Sequence, residues 1–137
     1  MRKKTILYFG AAILFLVILY INNSYKQNEL NSIFEKPSYA IGIVYEYTKK
    51  KPSLSNYIGQ LQSVAFFYQV NDSIFKNKYE CIEYPIKEDI NKGDSYLVIY
   101  NTNEPQKSRL LTNFSIKDSS DFKRYISLIK EGKLKIE

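Results

Sequence analysis

The stretch Lys92–Leu111, KGDSYLVIYNTNEPQKSRLL, organises the rest of the chain. It predicts a turn at 93–94, a strand over 95–100, and a polar bend that Pro105 closes before an extended pattern resumes at 108–111. Because apolar and aromatic residues run through this strand without a polar break, we expect both of its faces to be covered. The stretch predicts the centre of a small β-domain and contains no pattern typical of a catalytic site.

Three strands are predicted upstream, over 39–48, 61–70 and 74–83. Gly42 lies within the first of them and indicates a bend or a close backbone approach that helps a small sheet curl. The second and third strands form a hairpin across the turn at 71–73. Short spacing without an intervening long helix favours antiparallel pairing of about five strands, closed or half-closed into a small barrel that hides its edges. One face of the first strand should carry Ile41, Ile43, Tyr45 and Tyr47.

Residues 1–21, MRKKTILYFGAAILFLVILYI, combine a basic tip with an uncharged apolar run over 5–21. At about 1.5 Å per residue the run is roughly 25 Å long, the short end of what spans a bilayer. The sequence therefore predicts a transmembrane signal-anchor. A cleaved signal peptide is the alternative, but no A-x-A-like site follows the run. With Arg2–Lys4 held on the cytoplasmic side, we expect a single-pass protein of the inner or plasma membrane whose C-terminal domain is extracytoplasmic.

Four segments follow from these patterns. Residues 1–21 form the anchor, 22–37 a juxtamembrane linker or helix that Pro37 ends, 38–116 the β-barrel domain, and 117–137 a C-terminal helix and tail. Asp118 or Ser119 caps the last helix and Gly132 stops it. The apolar stripe of this amphipathic helix should pack on the barrel, although a helix lying on anionic lipid has the same pattern. The stripe comprises Phe122, Tyr125, Ile126 and Ile129.

Charge and composition exclude several classes of function. The formal net charge is +6, but Arg2–Lys4 supply three of the twenty basic residues, and 49–51 is the only internal basic run. We therefore expect no nucleic-acid binding. The chain has no histidine, which removes the commonest general base and transition-metal ligand. Its one cysteine, Cys81, lies in an apolar strand context and is interpreted as a packing residue.

No catalytic, cofactor-binding or metal-binding residue is predicted. Glu80 and Glu83 lie three apart on a strand and should point to opposite faces, so they cannot share a proton. Glu88 and Asp89 lie in the polar segment that connects the third and fourth predicted strands and are interpreted as exposed surface residues. No serine has a G-x-S-x-G context, and the five glycines are scattered singly.

Tyrosine is the conspicuous excess, with thirteen residues in 137. Most should fill the core, where each hydroxyl needs a hydrogen-bond partner. Others, such as Tyr57 and Tyr84 near loops, could face outward and form a surface for a protein partner.

Two short motifs follow Gly42 along the chain. The first is G-D-x-x-x-V-x-Y, from Gly93 to Tyr100, and the second is P-x-x-S-x-L, from Pro105 to Leu110. With them, the segment 40–111 resembles a bacterial domain family of unknown function whose members are small, often membrane-anchored and expected to form short β-barrels. The chain departs from that family in having Asn71-Asp72-Ser73 at the hairpin turn, where glycine is usual, and no proline soon after Tyr100. The resemblance implies a fold and a location but no reaction.

The sequence alone therefore favours a non-enzymatic, membrane-anchored β-barrel module that binds another envelope protein. An immunity-like inhibitor of a secreted toxin is the first alternative. A hydrolase that uses only carboxylates and tyrosines is the second, and it would require a pocket with paired acids.

Overall fold

A computed structural model describes residues 2–50, 60–83 and 90–136. Seven elements follow one another in this part of the chain. A long helix comes first, five strands follow, and a short helix lies near the C-terminus. Their bounds are α1 Arg2–Glu35, β1 Pro37–Lys50, β2 Gln60–Val70, β3 Ser73–Glu83, β4 Ser95–Asn101, β5 Ser108–Ser115 and α2 Ser119–Lys130.

The five strands form one antiparallel sheet in the order β3-β2-β1-β4-β5. The predicted mainly β class and the five antiparallel strands are therefore confirmed. The predicted barrel or half-barrel is wrong, because the sheet is open and β3 and β5 are its edges. The edge strands approach at one end, where the Asn77 side chain donates to Ser108 Oγ at 2.9 Å and to Gln106 O at 3.2 Å. Among the described residues no backbone ladder joins these two edges, and barrel closure requires one.

The prediction of a transmembrane helix at residues 5–21 is also wrong. Within the described residues, no helix is both long and apolar enough to span a bilayer. The apolar run belongs to α1, which continues without a break through polar residues from Asn22 to Glu35. The predicted signal-anchor, single-pass membrane location and extracytoplasmic placement are corrected by the same finding.

One face of the sheet, here called the inner face, holds the larger apolar core. Val44, Phe66, Val98 and Leu110 are almost completely buried there. Gly42 lies among them, and a Cβ at this position would be 2.4 Å from Val98 Cγ2 and 3.0 Å from Leu110 Cδ1. The predicted close approach at Gly42 is confirmed, because only a residue without a side chain leaves room for this packing.

The opposite face, here called the outer face, carries the second core. Leu97 and Ile99 of β4 are fully buried on it. The central strand is thus covered on both sides, as its unbroken apolar run predicts. The cover comes from Ile33 in the last turn of α1 and from the stripe of α2, namely Phe122, Tyr125, Ile126 and Ile129.

A bulge between Val44 and Glu46 shifts the register of β1 against β2. Before it, odd-numbered residues point to the outer face; after it, Tyr47 packs against the inner core. The prediction that Tyr47 shares a face with Ile41 and Ile43 is therefore wrong. The extra residue, Tyr45, stays outside and adds a ring to the outer face.

Turns and caps follow local chemistry. Gly93 has φ +95° and its N–H donates to Val44 O at 2.8 Å, which ties the start of β4 to the bulge. Asn71, at φ 53°, takes the left-handed position of the β2–β3 hairpin, which asparagine tolerates better than most residues. Asp118 caps α2 by accepting from the N–H groups of Ser120 and Asp121, and Gly132 follows its end at φ +67°.

Candidate functional site

The outer face of the sheet divides into two halves. Over β4 and β5 it is covered by the end of α1 and by α2. Tyr39, near the start of β1, also packs against this covered core. Over the rest of β1 and over β3, large apolar side chains remain accessible: Ile74 is 65% exposed, Ile41 38% and Tyr45 37%. We call this second half the open face and define it by Ile41, Ile43, Tyr45, Phe67 and Ile74.

Strand register brings the residues of the open face together. Ile43 pairs with Phe67, and Phe67 pairs with Lys76, so one row crosses three strands. Directly paired side chains in neighbouring strands lie roughly 5 Å apart. The bulge then places the Tyr45 ring 6.4 Å from the Phe67 ring. Ile43, Phe67 and Tyr45 therefore form one apolar and aromatic cluster. Ile74 lies on the same face, where its pairing partner is the exposed Gln69.

One charged group borders this surface closely. The Lys76 ammonium lies 5.9 Å from the centre of the Tyr45 ring, within the range of a cation–π contact. Lys78 follows two residues later on the same side of β3, and its pairing partner Ala65 pairs in turn with Glu46. Lys76 and Lys78 therefore lie on the β3 side of the open face, and Glu46 lies on its β1 side.

The covered half is held by a specific set of hydrogen bonds at the end of α1. Asn101, buried at the end of β4, donates from Nδ2 to Ser32 O at 2.5 Å. Its Oδ1 accepts from the N–H groups of Asn103 and Glu104. Thr102 donates from its N–H and its hydroxyl to Lys36 O. Asn101 and Thr102 thus provide donors for the Ser32 carbonyl in the last turn of α1 and for the Lys36 carbonyl just after the helix.

A polar groove of about 960 Å³ lies between the start of β4 and the N-terminal turn of α2. Asp121 lines it and accepts from Lys117 N–H and from Arg124, each at 3.0 Å. Asp94 also lines it and accepts from Asn91 N–H at 2.8 Å. Each carboxylate thus serves a loop or helix terminus as an acceptor. The arrangement stabilises local structure and does not pair two acids for proton transfer.

A second exposed apolar stretch lies on α1, where all side chains over 13–21 are accessible to solvent. These residues surround the helix on every side and form no single face. The open face differs, because the sheet holds its side chains in one plane and in fixed register.

Tyr68 is a tyrosine of the inner core. It is 1% exposed and lies within 6.0 Å, centre to centre, of the rings of Phe66, Phe75 and Tyr100. Its hydroxyl donates to Pro105 O. Burial raises the pKa of Tyr68 above its ordinary value, and burial does the same to Tyr39. These tyrosines are core residues, as the sequence led us to expect for most of them.

Two buried polar atoms on the inner face have no hydrogen-bond partner within the described residues. They are the Tyr47 hydroxyl and Gln62 Oε1. Both lie in the part of the sheet that extends beyond β4, where β1 pairs with β2 alone. Hydrogen-bonding capacity is therefore left over at this end of the inner face, away from the open face.

Several residues singled out from the sequence cannot be placed. Lys51, Tyr57, Tyr84, Glu88 and Asp89 lie outside the described residues, as do the side chains of Glu80, Cys81 and Glu83. Lys49 lies within β1, which ends at Lys50, and its ammonium is 5.7 Å from the centre of the Tyr47 ring. No cluster of three metal-ligating side chains occurs in the part of the chain that the structure describes.

Sequence reasoning missed the open face. It predicted a tyrosine surface near loops, whereas the accessible residues are on strands and include isoleucine and phenylalanine. The alternation in β1 was the available signal, because it marks Ile41, Ile43 and Tyr45 as one face without saying whether anything covers it.

The fold and this surface define a class of small β-sheet domain with one exposed apolar sheet face. No protein-family model, curated protein or solved structure matches the chain.

Proposed function

We propose that this protein is a non-enzymatic binding module that holds a protein partner on its open face. One observation carries the proposal: on a single sheet face, the β4–β5 half is covered by helices and the β1–β3 half leaves isoleucine and aromatic side chains accessible. Contiguous exposed apolar patches on small domains mark sites of interaction.

The composition of the open face supports a protein partner. Aromatic side chains bury a large area at a small cost in side-chain entropy, and they are enriched in the centres of protein interfaces. Tyr45 and Phe67 supply two neighbouring rings, and the Ile74 side chain is 65% exposed. A rigid sheet presents these groups in a preorganised arrangement, which lowers the entropic cost of binding.

The chemistry of the chain supports a role without catalysis. It lacks histidine altogether. Of its acids, Asp94 and Asp121 line a groove but serve as acceptors for loop and helix N–H groups. These functions leave neither of them as a general base.

Site-specific photocrosslinking tests the proposal. Benzoylphenylalanine replaces Ile74 in the full-length protein expressed in its native host, and a matched variant carries it at Lys123, which is exposed on α2 away from the open face. We expect one defined crosslinked product from position 74 and none of that size from position 123. Equal yields at both positions, or no product at position 74, would overturn the proposal.

A second variant links the product to the apolar character of the surface. Ile74→Asp adds a charge at a position that is already 65% exposed, so folding should be unaffected. With benzoylphenylalanine at Ile41, this change should abolish the crosslink. Retention of the crosslink would show that the apolar side chain of Ile74 does not contribute to binding.

A further inference from the structure

We infer that the partner of the open face presents carboxylates to the β3 side of that surface, opposite Lys76. This inference rests on the proposed function and specifies the chemistry of the partner. The argument begins with the position of Lys76 in the row Ile43, Phe67 and Lys76, where an apolar surface ends in a single cation.

Covering the open face would change the surroundings of Lys76. Its ammonium now lies beside the Tyr45 ring and is exposed to solvent. A partner that covered Tyr45 and Phe67 would remove part of this hydration. A cation that loses water at an interface is costly unless an anion or several acceptors replace that water. An apolar partner without a carboxylate at this point would therefore bind poorly.

The charges around the open face also favour one orientation of the bound partner. Lys76 and Lys78 lie on β3, whereas Glu46 lies on β1, across the width of the open face. A partner surface with complementary charge has acidic groups opposite Lys76 and Lys78, and it tolerates a basic group opposite Glu46. Without Arg2–Lys4, 17 basic and 14 acidic residues leave a net charge of +3, which favours an acidic partner over a second copy of this chain.

Because β3 is an edge strand, its lysines have a second possible role, which must be distinguished from direct contact with the partner. Lysines on an edge strand hinder uncontrolled strand pairing between copies of a protein. That role requires positive charge but no particular contact. A charge-swap experiment distinguishes it, because only a direct contact is restored by reversing both charges.

The first test uses carbodiimide, a reagent that joins an amine to a carboxylate with no spacer. It is applied to the full-length protein together with the purified protein captured at position 74, and the products are mapped by mass spectrometry. We expect a link between Lys76 and an Asp or Glu of the captured protein. A variant with Lys76→Arg should lose this link, because the reagent does not couple a guanidinium group.

The second test measures affinity. Lys76→Glu should weaken binding of the captured protein at least 10-fold, and Lys76→Met should weaken it less, because methionine keeps an apolar stem over Tyr45. Reversing the linked carboxylate to lysine should restore the affinity of Lys76→Glu. The matched control is Lys123→Glu, which makes the same change in net charge on α2 and should alter affinity less than 2-fold.

The outcomes separate the two proposals. If position 74 captures a partner but Lys76→Glu changes its affinity no more than Lys123→Glu, the partner's chemistry is wrongly assigned and the binding function stands. If position 74 captures nothing beyond the Lys123 control, the binding function itself is overturned.

Discussion

The covered and open halves of the outer face both carry apolar side chains on neighbouring strands. Ile41 and Leu97 are direct partners on neighbouring strands, yet Leu97 is fully buried and Ile41 is 38% exposed. The helical cover reaches β4, β5 and, on β1, Tyr39, but Ile41 belongs to neither core cluster. The difference teaches that apolar periodicity marks which side chains share a face, whereas burial depends on what docks there. In this protein the uncovered half is the candidate for function.

The largest expected effect compares an isoleucine from each half. Ile99→Ala removes a fully buried side chain and leaves a cavity, so it should lower the free energy of unfolding by about 2–5 kcal/mol. Ile74→Ala, at an exposed position, should change it by about 0.5 kcal/mol or less. Urea unfolding followed by circular dichroism measures both. Similar losses in the two variants would mean that the open face is covered in solution.

A smaller effect should come from the hydrogen bonds that hold the cover in place. Asn101→Ala removes the donor to Ser32 O and the acceptor for Asn103 and Glu104 N–H. We expect a loss of about 1–3 kcal/mol, because buried groups lose their partners. Amide exchange near Ser32 should also accelerate. Asn103→Ala, at an exposed position of the same loop, is the control, and equal losses would refute the role assigned to Asn101.

Gly93 joins the two halves through its hydrogen bond to Val44. A Cβ there meets no atom within 4 Å, so only the backbone conformation at φ +95° opposes a side chain. Gly93→Val should lower stability by roughly 1 kcal/mol or more, and Gly93→Asn should cost less, since asparagine tolerates positive φ. Thermal unfolding ranks the three proteins. Equal melting temperatures for the valine variant and the wild type would contradict the positive φ assigned to Gly93.

The smallest effect concerns the cap of α2 and depends on pH. Hydrogen bonds from the Ser120 hydroxyl and from backbone N–H groups lower the pKa of Asp118. Because the folded-state pKa lies below the unfolded one, this stabilisation is present above the ordinary pKa and is lost as pH falls through the lowered value. Asp118→Asn keeps a capping oxygen, so melting temperature should fall less steeply between about pH 5 and about pH 2 than in the wild type. An unchanged slope would exclude this contribution.

Local chemistry made much of the fold predictable. The hairpin at Asn71, the turn at Gly93, the cap at Asp118 and the tight packing at Gly42 each depend on residues close in sequence or on the absence of a side chain. The barrel was predicted from strand number, but closure depends on strand lengths and edge pairing across the whole sheet. The membrane anchor was predicted from an apolar run that belongs to a longer, partly polar helix.

The candidate site was less predictable for the same reason. The bulge at Tyr45 and the docking of Ile33 depend on pairings between distant segments, and neither leaves a local signature. Without them, Tyr45 and Tyr47 cannot be assigned to opposite faces, and Leu97 cannot be distinguished from Ile41.

The sequence by itself determined the strands, the turns, the terminal helix and the lack of histidine chemistry, because these follow from periodicity, backbone preference and composition. Only the tertiary structure decided that the sheet stays open, that two helices cover β4 and β5, and that Lys76 borders an accessible aromatic surface. Those features depend on contacts between residues distant in sequence. A side chain can bind a partner only where these contacts leave it exposed.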